Sequence, residues 1–154
     1  MDPQPTAEEI REILGKHLHL EGPLLPILHD LQDTFGYLPQ EAVPQIAGAL
    51  NLSVAEVTGV ISFYHDFRKA PAGRHVLKLC RAEACQSMGS DALADRVLSL
   101  LGVDWHGTTT DGRITVEPVY CLGLCACAPA AMLDGRVHGA LTEAKATKIL
   151  EALA

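Results

Sequence analysis

Aromatic residues are scarce in this sequence: three Phe, three Tyr and one Trp, 5% of the chain. Single-stranded nucleic acid stacks its bases on aromatic rings, so such a platform is not expected here. Positive charge is scarce too. Twelve Lys and Arg stand against nineteen Asp and Glu, a formal net charge of −7. Phosphate-based binding needs a basic footprint, which excludes a sequence-independent nucleic-acid binder. No run approaches the roughly 18 apolar residues of a membrane span. Met1-Asp2-Pro3-Gln4-Pro5 shows no basic stretch leading into an apolar run. No secretory signal and no direct membrane contact are therefore expected, and the expected location is the cytoplasm. There is no Cys-x2-Cys, which speaks against a thioredoxin-type dithiol. No Gly-x-Gly-x-x-Gly follows a strand pattern, so the chain itself shows no nucleotide site.

What is present is enough apolar material for a core, 48% of 154 residues. An acidic surface suits solubility and a complementary partner. Lys69-Ala70-Pro71-Ala72-Gly73 breaks any helix and marks a joint, giving two domains, 1–70 and 71–154. The first reads as a helical bundle. Thr6 and Glu9 form a capping box opening a helix to about Leu18. A second helix spans Leu24 to Phe35 and stops at Gly36. A third has Pro39 in its first turn and ends near Asn51. Ser53 and Glu56 repeat the capping box before a fourth, Val54 to about Tyr64.

The second domain alternates. Arg74 to Leu79 reads as a strand and Asp91 to Leu101 as a helix. Trp105 to Thr110 and Arg113 to Val119 read as a hairpin around Asp111-Gly112. Ala131 to Asp134 and Arg136 to His138 read as a second hairpin around Gly135, and Thr142 caps a last helix to about Leu153. The order β-α-β-β-β-β-α resembles a thioredoxin-like layer of sheet and helices. The fold class expected is therefore α+β or α/β, an N-terminal helical bundle followed by a thioredoxin-like domain.

In a cytoplasmic chain, clustered cysteines point to metal or redox chemistry rather than disulfides. Cys80 and Cys85 follow one predicted strand as Cys-x4-Cys. Cys121, Cys125 and Cys127 follow another, within Cys-Leu-Gly-Leu-Cys-Ala-Cys. Two strand ends on one side of a sheet bring such loops together. Spacing alone admits a 2Fe–2S cluster, a structural zinc on four thiolates, or unliganded or disulfide-bonded thiols. Gly89 and Gly123 allow close backbone approach, and Ala82, Ala84, Leu122, Leu124, Ala126 and Ala128 supply an apolar shell. Arg81 is placed to offset cluster charge and Glu83 to oppose it.

Together these motifs resemble the thioredoxin-like 2Fe–2S ferredoxins found as small subunits of complex I, NAD-dependent formate dehydrogenases and NAD-reducing hydrogenases. The helical part resembles that family through Leu24-Leu25-Pro26-Ile27-Leu28-His29, Phe35-Gly36-Tyr37-Leu38-Pro39 and Gly59-Val60-Ile61-Ser62-Phe63-Tyr64. The site resembles it through Cys-x4-Cys and Cys-Leu-Gly-x-Cys, with Pro129 following. The resemblance implies one 2Fe–2S cluster on Cys80, Cys85, Cys121 and Cys125, and no catalytic residue in this chain. It further implies FMN and NAD on a partner flavin subunit, with a larger iron–sulfur catalytic subunit beyond it. Within the family, Cys80-Arg81-Ala82-Glu83-Ala84-Cys85-Gln86 looks most like the formate dehydrogenase gamma subunit, with the complex I and hydrogenase subunits as alternatives. Cys127 departs from the pattern and is expected as a small buried apolar side chain.

Other features have plainer readings. His29, His65, His75 and His138 lack metal-like spacing. Phe63, Tyr64 and Phe67 are expected to pack a helix end, and offer a candidate contact for a partner. Trp105 is expected in the core. Val43 to Tyr64 resembles a helix-turn-helix, so a second class of function is a DNA-binding protein with a structural zinc site. Its would-be recognition helix, Val54 to Tyr64, has Glu56 and no Lys or Arg to reach base edges.

Overall fold

The structure, a computed structural model, describes residues 5–153. Of the segment read for a secretory signal, residues 1–4 lie outside the described residues, as does Ala154. The chain divides into two compact units at Pro71–Ala72.

The first unit holds four helices, α1 (Ala7–His17), α2 (Leu24–Phe35), α3 (Ala42–Leu50) and α4 (Val54–Phe63). Two start at capping boxes. Thr6 Oγ1 accepts from the Glu9 N–H at 3.3 Å while the Thr6 N–H donates to Glu9 Oε2 at 2.8 Å. Ser53 and Glu56 repeat this at 3.2 and 2.8 Å. Gly36, at φ 77°, ends α2 and sends its N–H to the Gln32 carbonyl. α3 begins three residues later than its Pro39 signal implies. Residues 39–41 form a turn instead, with the Ala42 N–H on the Pro39 carbonyl, and Pro44 occupies the first helical turn, where no N–H partner is needed.

These helices bury Ile10, Ile27, Leu28, Leu31, Ile46 and Val57 in one core. The segment after α4 is held to α2 by the His29–Phe67 ring contact and by the Gln32 side chain. Gln32 Nε2 donates to the Asp66 carbonyl and Gln32 Oε1 accepts the Arg68 N–H, both at 2.7 Å. No single described helix is long and apolar enough to cross a membrane. α3 and α4 reach that length and apolarity only together, and the chain bends by 115° between them.

The second unit is a four-stranded sheet in the order β2-β1-β3-β4, with β1 His75–Cys80, β2 Ile114–Val119, β3 Ala131–Leu133 and β4 Arg136–His138. Helices α5 (Glu83–Ser87) and α6 (Ser90–Leu101) cross from β1 to β2, and α7 (Glu143–Glu151) closes the unit. β1 and β2 run parallel, as a helical crossover requires. β3 and β4 are antiparallel and form the hairpin expected around Gly135. One face of the sheet carries Leu77, Leu79, Ile114, Val116 and Ala131, which pack with Val97 of α6 and Ala146 and Leu150 of α7.

Two elements differ from expectation. Residues 105–110 are not a strand. They still pair with β2 through a Thr108–Thr115 bridge and backbone bonds from His106 to Val116 and Thr109 to Ile114, but the chain turns at 104–107 and no regular strand forms. A Cβ on Gly107 would sit 2.7 Å from the Asp104 carbonyl oxygen, and His106 takes φ 63°. Trp105 accordingly lies partly buried beside the core rather than within it. The second difference is α5, unforeseen because five residues carry no readable helical period.

Leu28 is fully buried and Leu18 is 49% exposed. Leu28→Ala should therefore cost about 2–5 kcal/mol, and Leu18→Ala within about 0.5 kcal/mol, measured by urea unfolding. A second test concerns acid. The Thr6 N–H holds the Glu9 carboxyl below the usual carboxylate value, and the Ser53 N–H does the same for Glu56. Such groups add stability above their unfolded pKa and lose it as pH falls through the lowered one. The double variant Glu9→Gln, Glu56→Gln should thus lose stability less steeply on acidification through the carboxylate range.

Candidate metal centre

Parallel pairing places Cys80, the last residue of β1, in register with Val119, the last residue of β2. Both strands therefore deliver their following loops to the same end of the sheet. The ladder continues one step beyond them. The Arg81 N–H donates to the Val119 carbonyl at 2.8 Å, and the Cys80 N–H to the Ala130 carbonyl at 3.0 Å. α5 carries Cys85 back against Cys80. After β2 the chain turns at Cys121, with φ 89°, and Gly123, with φ 75°. It then enters a 3-10 turn, Cys125–Cys127. No atom beyond the adjacent residues comes within 4 Å of where a Cβ would sit on Gly89 or Gly123, so neither makes the close backbone approach expected of it. Both glycines take positive φ, the conformation that favours them.

The four candidate thiols stand as two pairs. Cys80 and Cys85 are each 3% exposed and lie near enough for each to shift the other's titration. Cys121 and Cys125 are exposed, with their sulfurs 3.6 Å apart. Tetrahedral metal–sulfur bonds of about 2.3 Å put two sulfurs on one metal about 3.8 Å apart, close to this spacing.

Backbone N–H groups point at these sulfurs. Burial pushes the Cys80 thiol up. The Ala82 N–H, the Cys85 thiol and the N–H groups of Cys121 and Leu122 together outweigh that and hold Cys80 below the ordinary thiol value. Burial raises Cys85, as does donating to Cys80, against one N–H bond from Ala130. The hydrogen bond with Cys121, and that sulfur's charge, raise Cys125. The Gly123 N–H donates to Cys121 Sγ at 3.4 Å. A non-glycine residue at positive φ costs on the order of 1–3 kcal/mol. Cys121 carries that strain where its N–H and the next one reach the Cys80 sulfur.

Ala82, Val119, Leu122, Leu124 and Ala128 pack around Cys80, Cys85 and Ala130. Ala84 is half-buried, and Ala126 is exposed rather than part of a shell. Arg81 turns to the side, its guanidinium 5.2 Å from the Trp105 ring centroid and 3.4 Å from Asp91. Glu83 is exposed in the first turn of α5. Cys127 corrects the expectation of a buried apolar side chain, for it is exposed. Its N–H bonds the Leu124 carbonyl and its carbonyl accepts the Ala140 N–H. Among the described residues, no three His, Cys, Asp or Glu side chains gather around one point as a single ion requires. His75 pairs with Asp134 at 2.7 Å, and His29 stacks on Phe67. The chemistry of the donor set, four thiols met by backbone N–H groups in a partly apolar pocket, fits a metal–sulfur group. The N–H donors of Ala82, Leu122 and Ala130 escape sequence reasoning because a backbone group has no residue signature. Gly89 and Gly123 were the sequence hints of a special backbone conformation around the site.

Comparison with known proteins agrees with this geometry. A family model described as thioredoxin-like [2Fe-2S] ferredoxin matches residues 10–154. The chain is 34% identical over 148 residues to the HndA subunit of an NADP-reducing hydrogenase from Solidesulfovibrio fructosivorans, covering 96% of this chain and 86% of that one. It is 35% identical over 137 residues to an NADH-quinone oxidoreductase subunit of Pseudomonas aeruginosa, covering 87% and 82%. Among solved structures it is similar to an NAD+-reducing [NiFe]-hydrogenase in the air-oxidized state, with a TM-score of 0.66 and 26% identity. That match covers 82% of this chain but only 22% of the hydrogenase chain. The fold is thioredoxin-like, a mixed sheet with helices preceded by a helical region, and the chain belongs to the thioredoxin-like [2Fe-2S] ferredoxin family.

Proposed function

We propose that this protein holds one 2Fe–2S cluster on Cys80, Cys85, Cys121 and Cys125. It then serves as a one-electron carrier subunit of a cytoplasmic NAD-linked oxidoreductase. The observation that carries this reading is the delivery of two cysteine loops to one sheet end in a chain that the thioredoxin-like [2Fe-2S] ferredoxin model matches over residues 10–154. The Cys121–Cys125 spacing of 3.6 Å suits two thiolates on one metal. When bound, a 2Fe–2S cluster accepts and returns a single electron. The chain's part is to hold it and to stabilise its charge. Cys80 and Cys85 supply buried ligands, and the N–H groups of Ala82, Cys121, Leu122, Gly123 and Ala130 present fixed dipoles to the sulfurs.

Hydride chemistry needs a cofactor such as flavin. We place FMN and NAD on a partner subunit, with a larger iron–sulfur catalytic subunit beyond it. The named relatives belong to hydrogenase and quinone oxidoreductase assemblies. Our more specific reading, the gamma subunit of an NAD-dependent formate dehydrogenase, rests on the Cys80–Gln86 resemblance. Co-purification separates the three. A flavin subunit with a molybdenum or tungsten subunit supports it, and a hydrogenase or membrane subunits overturn it.

Residues 1–70 are proposed as the docking bundle. Phe63 is 73% exposed at the end of α4, edge-on to Tyr64 at 5.1 Å between ring centroids. Exposed aromatic side chains of this kind anchor interfaces. The helix-turn-helix alternative is not favoured, since α4 bears no Lys or Arg.

Anaerobically purified protein should contain about two irons and two acid-labile sulfides per chain. Replacing any of Cys80, Cys85, Cys121 or Cys125 by Ala should abolish the cluster's visible absorption, and Cys127→Ala should keep it. One stoichiometric zinc with no iron, from cells supplied with iron, would falsify the reading. Alone, the protein should take up one electron from dithionite without oxidising formate or NADH. In pull-down with the flavin subunit, Phe63→Ala or Tyr64→Ala should weaken binding by about 1–2 kcal/mol. Lys148→Glu, on α7, should have a smaller effect; equal losses would remove the aromatic pair from the interface.

A further inference from the structure

The two sulfur pairs differ in exposure. Cys80 and Cys85 lie buried, out of reach of soluble thiol reagents, while Cys121 and Cys125 are open to solvent. The exposed pair sits in one five-residue turn, with sulfurs 3.6 Å apart and Gly123 between them. A disulfide needs about 2.05 Å, so the sulfurs must approach by about 1.5 Å. The turn has room for that at Gly123, where no atom beyond the two adjacent residues lies within 4 Å of the missing Cβ. Cys127 is exposed as well, but it is clamped. Its N–H and carbonyl are both bonded, and a Cβ on Gly139 would lie only 2.9 Å from its own Cβ.

We propose that in the cluster-free chain Cys121 and Cys125 close into a disulfide when a low-molecular-weight disulfide such as glutathione disulfide is present, and that this bond blocks cluster assembly until it is reduced. The inference rests on the ligand assignment above. The step is ordinary thiol–disulfide exchange. The Cys121 thiolate attacks one sulfur of glutathione disulfide and releases one glutathione. The Cys125 thiolate then displaces the second glutathione from the mixed disulfide. Two electrons pass from the protein to glutathione disulfide, and the two thiol protons end on the two glutathione molecules. The closed bond removes both exposed sulfurs as ligands, while the buried pair stays reduced. It also keeps those sulfurs at a reversible oxidation level, short of the sulfinic stage that cannot be readily undone.

The test uses the full-length chain, stripped of metal under reducing conditions and then divided. One half is treated with glutathione disulfide and the other kept in dithiothreitol. The treated half should show three free thiols of the five in denaturant, with the bond mapped by peptide mass to Cys121 and Cys125. It should lose the ability to take up iron and sulfide, and dithiothreitol should restore it. Cys127→Ala should form the same bond. Five free thiols, a stable glutathione adduct, or a bridge involving Cys80, Cys85 or Cys127 overturns the proposal. The reduced half is the control for the ligand reading. If it takes up iron and sulfide while the treated half forms no bond, only this inference fails. If the reduced half takes up none, the ligand assignment fails first.

Discussion

Parallel pairing of β1 with β2 is the constraint from which the candidate metal centre follows. Two neighbouring strands that run the same way end at the same edge, so Cys80 and the turn after Val119 meet although some forty residues separate them in the chain. An antiparallel partner would have sent one of the two loops to the opposite end of the sheet. The pairing is itself sustained by apolar packing, since Leu77, Leu79, Ile114 and Val116 all face the α6 and α7 side. The strands that hold the sheet to its helices also end in Cys80 and in the turn that carries Cys121 and Cys125, so the site is anchored to the core.

Around the sulfurs, the protein works mostly with its backbone. Three N–H groups reach Cys80 and one reaches Cys85. Fixed dipoles of this kind stabilise negative charge without bringing in a mobile counter-ion, and they do not change with pH. The neighbouring cation, Arg81, is turned toward Trp105 and Asp91. Charge stabilisation is therefore built into the loop conformation, which explains why a strained Cys121 is tolerated there.

Much of this was legible in the sequence, and the gaps have physical causes. The capping boxes at Thr6 and Ser53 and the stop at Gly36 mark helix ends by side-chain chemistry, so α1, α2 and α4 were readable. The start of α3 was not, because Pro39 and Pro44 both suit a first turn and only tertiary packing chooses between them. The Asp111-Gly112 turn implied a strand over residues 105–110, but at Gly107 the chain folds onto Asp104 instead. The cysteines announced the centre, since donor chemistry resides in side chains. The N–H cradle and the exposure of Cys127 did not show, because they arise from how the loops lie.

The close approach of Gly139 to Cys127 extends the centre's reach in a way that no inspection of ligands reveals. Even a single methyl group at position 139 would collide with the Cys127 Cβ, two residues beyond Cys125. The collision would be relieved by moving the 3-10 turn, and the spacing of the exposed sulfurs would move with it. Position 139, in the segment after β4, is thus a shim for the cysteine loop. Drift at a residue that carries no sulfur would be felt as a change in the spacing of the exposed thiols.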